Sequence, residues 1–322
     1  MNRGAGERLR RALRWPAATS FHGLQWLRMQ AQASAALGWS GRRLIRATYP
    51  GRQPLRDGGK VAVFAHFDRD GRVHDFVLTY LRALGQAGFA VVFVSNAPRL
   101  ANAAVEQLRP LVALVLHRRN LGYDFAAYQD GLAALGELAR FDQVVLANDS
   151  VYGPLFDLGA LLRRCDDRAD VWGMTDNREH RYHLQSYFLL FRRTVLTNPA
   201  FAAFWRAVRP VQSRQWVIRR YEVGLTQHLQ RAGLRCGALF PCETVAAGAA
   251  AANSDKPVNV MHVHWDRLIT VLGCPFIKRE LLLYNPLKVA HVSRWRDVIR
   301  GVSFYDTELI ARHLCAQRRH AP

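Results

Sequence analysis

The 322-residue chain has few cysteines: Cys165, Cys236, Cys242, Cys274 and Cys315 are odd in number and form no C-x-x-C pair. That excludes a disulfide-stapled scaffold and a cysteine zinc ribbon, and it suits a reducing compartment. No apolar run reaches the roughly 18–20 residues needed to cross a bilayer. Arg3, Arg8, Arg10, Arg11 and Arg14 interrupt the N-terminal region, so a secretory apolar stretch is not expected there. No G-x-G-x-x-G follows the first apolar run, which argues against a Rossmann dehydrogenase. G-x-x-x-x-G-K-[ST] and G-x-S-x-G are also missing, which argues against a P-loop ATPase and a typical α/β-hydrolase.

Acidic residues are scarce too, 25 against 45 basic ones, for a net charge of +20. The excess is not uniform. Residues 1–60 hold 12 basic and 2 acidic residues, and residues 286–322 hold 7 and 3. The middle is close to an ordinary globular protein: half the chain is hydrophobic and 11% is aromatic. Residues 1–57 are expected to form a basic, partly amphipathic helical extension, with Leu9, Leu13, Leu24 and Leu27 at helical spacing among arginines. Such a segment suits an anionic membrane surface, or else packs on the domain with a solvated basic face. Residues 291–322 are expected to be a basic helical tail.

Between them, residues 58–290 alternate short apolar runs with helical patterns. Strands are expected at Val61–Phe67, Ala90–Ser95, Leu111–Leu116, Val144–Ala147 and Asp170–Thr175. Helical faces are expected through Val77, Tyr80, Leu81 and Leu84, and through Phe125, Tyr128, Leu132 and Leu135. That order indicates a mainly parallel sheet flanked by helices, whose ligands bind beyond the carboxyl ends of the strands. The residues there are polar time after time: His66 and Asp68, Ser95 and Asn96, Arg119 and Asn120, Asn148, Asp149 and Ser150, and Asp176. Each alone suits a turn or a cap, and it is the repetition that points to a site. The run RNLGYD at 119–124, with Asp149 25 residues beyond Asp124, joins a glycine turn to a carboxylate at the same edge. That pattern suits a diphosphate held through Mg²⁺ or Mn²⁺.

The same order resembles a nucleotide-sugar glycosyltransferase of the GT-A fold. At the place of its D-x-D-like motif stands Ala147-Asn148-Asp149, in which Asp149 alone matches. More closely, the chain resembles the rhamnan synthesis protein F family of bacterial polysaccharide glycosyltransferases. The matching segments are RNLGYD (119–124), NDSVYGP (148–154), HLQSYFLLF (183–191), YEVGLT (221–226), NVMHVHW (259–265) and PFIKRELLLYNP (275–286). The resemblance implies a GT-A-like fold and transfer of a sugar, typically a deoxysugar such as rhamnose, from a nucleotide-sugar donor. The acceptor it implies is a growing cell-surface polysaccharide or lipopolysaccharide.

On that reading His66, Asp68, Ser95, Asn96, Arg119, Asn120, Gly122, Asp124, Asn148, Asp149, Ser150 and Lys278 are expected on the donor side, with Arg279 beside Lys278. Tyr152, Gln185 and Ser186 are expected on the acceptor side, the last two within a strand. Glu222 is expected at a helix start, where the dipole favours a carboxylate, as the base of an inverting transfer. Asp176 is its rival, with Glu179 nearby. His262 and His264 fall on one side of an extended MHVHW segment. The resemblance favours His262 as a metal ligand with Asp149, against a simply packed histidine. Residues 246–252 (AAGAAAA) read as a mobile loop or a linker. A peripheral place on the cytoplasmic face of the membrane, beside a lipid-linked acceptor, follows from the basic extension and the family together; no specific nucleic-acid partner is expected. Two other readings remain open. One is a non-catalytic nucleotide- or nucleic-acid-binding basic protein. The other is a hydrolase using Asp149, Ser150 and a histidine.

Overall fold

A computed structural model describes residues 44–247 and 259–318. The Leu9–Leu27 pattern of the basic extension and most of the 246–252 run lie outside the described residues. The described chain forms strands, several of them buried on both faces. These are β1 (Ile45–Pro50), β2 (Lys60–His66), β3 (Phe89–Ser95), β4 (Leu114–Arg118), β5 (Gln143–Asn148), β6 (Val151–Tyr152), β7 (Val171–Asn177), β8 (His183–Leu184), β9 (Phe188–Arg192), β10 (Cys236–Phe240) and β11 (Ile277–Lys278). The main sheet runs β1-β4-β3-β2-β5-β9-β7-β10, with β8 paired to β7. β4, β3, β2 and β5 are parallel, β9 runs antiparallel between β5 and β7, and β10 is parallel to β7. This is the mainly parallel, helix-flanked sheet expected.

Alternate strand residues feed two separate cores. Ala62, Phe64, Phe93 and Val145 pack on one side; Val61, Val63, Val94 and Leu146 pack on the other. Helix α1 (Asp75–Gln86) covers the first face through Phe76, Tyr80, Leu81 and Leu84. Helix α2 (Tyr123–Leu135) covers the second through Phe125, Tyr128 and Leu132. A Cβ on Gly131 of α2 would run into Val63, so this helix lies close on β2 because it has glycine there. Helix α3 (Val223–Arg231) adds Leu225 and Leu229 to the second core.

Several boundaries differ from the sequence reading. The third strand starts at Leu114, because Arg109–Leu111 closes a 3-10 turn around Pro110. The expected break at residue 57 cuts off a strand of the sheet: β1 pairs antiparallel with β4. The last segment is no separate tail either. Helices α4 (Arg279–Tyr284), α5 (Trp295–Val302) and α6 (Thr307–Arg318) place Leu281, Ile299, Ile310 and Leu314 in the first core. Among the described residues, no helix is long and apolar enough to cross a membrane.

Candidate active site

The sheet register brings the expected polar ends to one level. His66 pairs with Ser95, Ser95 with His117, and Ala65 with Asn148. These groups then divide. Those of β2 and β3 are buried among hydrogen-bond partners; those after β5 face a cavity.

In the buried group, His66 Nδ1 lies 3.2 Å from Ser95 Oγ, and its Nε2 lies 3.1 Å from the Arg72 carbonyl. Burial pushes the His66 imidazole below its usual pKa. Asp68 Oδ1 accepts from the backbone N–H groups of Asp70 and Arg72. Burial opposes charge on Asp68, yet the hydrogen bonds from His74 and Arg72 prevail and hold its carboxyl well below the ordinary range. Asn96 Oδ1 accepts from Arg118 at 2.6 Å. His66, Asp68, Ser95 and Asn96 therefore support the sheet edge without lining the cavity. Arg119 and Asn120 are exposed and also stand off it. It is Arg118, one residue earlier, that turns inward.

The cavity is about 320 Å³ and opens beyond β5, where Asn148, Asp149 and Ser150 meet Asp124, Ser186, Glu222 and Lys278. Its remaining charged groups are Arg214, Arg279 and Glu280. Gly122 starts α2 at φ +80°, and a Cβ there would lie 2.5 Å from Pro210 Cα, so the turn demands glycine. Its N–H is taken by Gln212 Oε1. Asp124, in the first turn of α2, accepts from Asn148 Nδ2 at 2.9 Å. Burial, followed by repulsion from Asp149 and Glu222, pushes its pKa up to about 7. Asn148 Oδ1 in turn accepts from both the N–H and the hydroxyl of Ser150.

The small sheet decides the rest. β11 pairs with β6, setting Lys278 opposite Val151, and the Arg279 N–H donates to the Ser150 carbonyl. Arg279 thus reaches Asp149 from 130 positions away. One guanidinium nitrogen lies 2.9 Å from Asp149 Oδ2 and 2.6 Å from the Asp149 carbonyl. The Phe67 N–H donates to the same Oδ2. Lys278 lies over the Tyr187 ring at 4.9 Å, and its burial depresses its pKa against the pull of Glu222 and Glu280.

Glu222 Oε1 accepts from the Ser186 N–H at 2.8 Å and its hydroxyl at 3.0 Å. It does not begin a helix, as the sequence suggested. The Ser213 side chain caps the coil at Trp216, and helical backbone then continues through Val217–Glu222 as a π-helical stretch into α3. A helix start is therefore not what positions this side chain; the Ser186 donors are. Gln185 and Ser186 lie between β8 and β9, not within a strand. Gln185 is buried against Thr175 and leaves the cavity to Ser186. Tyr152 is likewise buried, with its hydroxyl 2.7 Å from His313 Nδ1, away from the cavity. Asp176 accepts from the Cys242 N–H at 2.6 Å, and Glu179 accepts from Asn177; neither lines the cavity.

His262 and His264 are not on an extended segment. The Asn259 side chain accepts from the Met261 N–H and starts a helical turn, Val260–Val263. His262 is buried outside the cavity lining, its Nε2 without a hydrogen-bond partner and 3.9 Å from Glu280. That orphaned nitrogen has the character of a ligand atom. Asp149, however, already carries Arg279, and no third ligand joins the pair among the described residues. The residues present therefore do not assemble a cation site from Asp149 and His262.

Phe67, Tyr187, Arg214 and Glu280 are cavity residues that the strand-end rule did not select. Phe67 directly follows β2 and Tyr187 directly precedes β9, whereas Arg214 opens the helical run that leads to Glu222 and Glu280 follows the two-residue pairing of β6 with β11.

Compared with known families, residues 91–321 match the model of rhamnan synthesis protein F. The chain belongs to the rhamnan synthesis protein F family. It is 31% identical over 201 residues to the uncharacterized protein y4gN of Sinorhizobium fredii, an alignment covering 61% of this chain and 51% of that protein. The chain thus spans about half the length of that relative. It is 25% identical to the virulence protein VirA of Vibrio anguillarum, over 77% of this chain and 88% of that one. Among solved structures, galactosyltransferase LgtC with donor and acceptor sugar analogs aligns with 14% identity and a TM-score of 0.35, over 78% of this chain and 99% of that one. A mannosyltransferase from Pyrobaculum calidifontis, in complex with GDP-Man and Mn²⁺, aligns with 12% identity and a TM-score of 0.31, over 95% and 91%.

Proposed function

We propose that this rhamnan synthesis family member transfers a deoxysugar, rhamnose or a relative, from a nucleotide-sugar donor to a growing cell-surface polysaccharide or lipopolysaccharide, with inversion. The observation that carries the reading is the cavity itself. It brings the Glu222 carboxylate into one cavity with three cations, Arg214, Lys278 and Arg279, beyond the carboxyl end of β5. The nucleotide diphosphate meets Lys278 and Arg279. A guanidinium forks onto phosphate oxygens, and both cations offset the charge that grows as the nucleotide leaves. With both Ser186 donors on Oε1, Glu222 keeps Oε2 for the acceptor proton. The acceptor hydroxyl attacks the anomeric carbon, the bond to the diphosphate breaks, and the proton passes to Glu222.

Thermal unfolding with UDP, GDP and dTDP tests the donor side. One nucleotide is expected to raise the midpoint by mass action, to a similar extent with and without Mg²⁺ or Mn²⁺. A shift that requires the metal would restore a cation to Asp149. No shift with any of the three would remove the donor site.

Asp124 adds a pH signature. Its folded pKa of about 7 lies above its ordinary value of 3.8, so the side chain is mostly neutral below pH 7 and charged above it. A second anion entering the cavity is repelled only by the charged form. Nucleotide affinity is therefore expected to fall as pH rises through 7, and Asp124→Asn is expected to flatten that slope. Titrations of both proteins between pH 6 and 8 check this; parallel slopes would exonerate Asp124.

The basic N-terminal segment supports a peripheral place on the cytoplasmic face of the membrane, beside a lipid-linked acceptor. Because β1 belongs to the sheet, the truncation that tests this must stop at residue 43. Removing residues 1–43 is expected to abolish sedimentation with anionic vesicles. Undiminished sedimentation would refute the anchoring role.

A further inference from the structure

Away from the cavity, the loop after β2 and the C-terminal helix bring three ligand-type side chains together. Asp68, His74 and His313 each direct one ligand atom into a space where all three lie within 4.8 Å of one another. Asp68 and His313 are buried, and the His74 side chain is 17% exposed, which gives an ion a way in. We propose that Asp68, His74 and His313 form a zinc site that pins helix α6 to the loop after β2.

The donor set is two imidazole nitrogens and one carboxylate oxygen, which suits a borderline ion such as zinc better than magnesium or calcium. Bonds of about 2.0–2.2 Å to a tetrahedral zinc put neighbouring ligand atoms roughly 3.3 Å apart. His74 Nε2 and Asp68 Oδ2 are already at 3.2 Å. The contacts behind the cluster are those that fix metal ligands in place. Tyr152 holds Nδ1 of His313 at 2.7 Å, which leaves Nε2 for the ion. The backbone N–H groups of Asp70 and Arg72 hold Asp68 Oδ1, which leaves Oδ2. Phe76 packs on both imidazoles, with centroids 6.3 Å from His74 and 4.8 Å from His313. The fourth position falls to water or to Gln317, whose amide lies 3.4 Å from Asp68 Oδ2. Its oxygen and nitrogen exchange by a simple flip.

The site is separate from Asp149 and His262, and it binds zinc whether or not the cavity binds a nucleotide. Its place nevertheless bears on the cavity: Phe67, adjacent to Asp68, lines the cavity and donates to Asp149. Pinning α6 to this loop fixes that donor.

The full chain, stripped with a chelator and titrated with Zn²⁺, is expected to bind about one ion, and the bound ion is expected to raise the unfolding midpoint. His74→Gln and His313→Gln are expected to lose both effects, whereas His262→Gln and Asp149→Asn keep them. Co²⁺ in the wild-type chain is expected to give the visible absorption of a tetrahedral nitrogen–oxygen site. That spectrum tests the proposal even if His313→Gln does not fold, and Asp68→Asn is then the variant that loses it. Failure of the wild-type chain to bind Zn²⁺ overturns the proposal. So does undiminished binding in His74→Gln and His313→Gln, or loss of binding in His262→Gln.

Discussion

Glu222→Gln is expected to lower kcat by roughly 10²–10⁴-fold, the usual contribution of a positioned general base. The substitution is isosteric, and a glutamine carbonyl still accepts from the Ser186 N–H and hydroxyl that now bond Oε1. The backbone around residue 222 therefore has no reason to move, and the nucleotide-induced rise in melting temperature should persist. What the amide cannot do is accept a proton. Asp176→Asn is the matched comparison. Asn retains an oxygen for the Cys242 N–H that Asp176 now accepts, and the side chain does not line the cavity. Its turnover is expected to stay near wild type. Steady-state kinetics on the two variants separate the rival carboxylates. If Glu222→Gln turns over as fast as the wild type while Asp176→Asn does not, the base is the β7 carboxylate Asp176 and not Glu222. Ser186→Ala should fall between them: it removes the hydroxyl donor, leaves the backbone donor, and so loosens Glu222 without removing its charge.

How much of this was legible beforehand depends on which contacts made each feature. The strands were readable because β2, β3 and β5 are buried on both faces and so appear as unbroken apolar runs. Helices α1 and α2 were readable because each presents one apolar stripe to that sheet. The RNLGYD run found Asp124. The strand-end rule found Asp149 and Ser150, since those places follow from topology alone. It also named His66, Asp68, Ser95 and Asn96. The rule fixes the level of a residue on the sheet, but not whether its side chain bonds its neighbours or faces a ligand. Arg279 shows the other limit. It reaches Asp149 only because the two-residue strand β11 pairs with β6, and a pairing that short leaves no periodicity to read. Glu222 was found for a reason that does not hold. The sequence placed it at a helix start, whereas the helix begins at the Ser213 cap and reaches residue 222 through a π-helical stretch that hydrophobic periodicity does not signal.

Asp130→Ala is expected to be the most destabilising of the substitutions considered, at about 3–5 kcal/mol. Along β4, Arg118 has the same parity as Leu116 and so enters the second core, beneath α2. The side chain is fully buried. Its Nε lies 2.6 Å from Asp130 Oδ2, and its two terminal nitrogens donate to Asn96 Oδ1 and to the Leu121 carbonyl. Burial depresses the Arg118 pKa and raises that of Asp130, each against the pull of the other. Removing Asp130 leaves a guanidinium in the core with no counter-charge, and that loss exceeds what the pair contributes over an apolar substitute. Replacing both, Arg118→Met with Asp130→Leu, is therefore expected to cost less than Asp130→Ala alone. Denaturant unfolding of the single and double variants checks the order, and a double variant weaker than the single would contradict it. The consequence reaches the site. Arg118 holds the Leu121 carbonyl one residue before Gly122, so it fixes the turn from which α2 carries Asp124 into the cavity. In Asp130→Ala, nucleotide affinity should fall along with stability. In the apolar pair, where the Leu121 contact is also gone, stability should recover further than affinity does. That split, measured on folded protein by nucleotide titration, distinguishes a pair that merely holds the core together from one that also sets the turn.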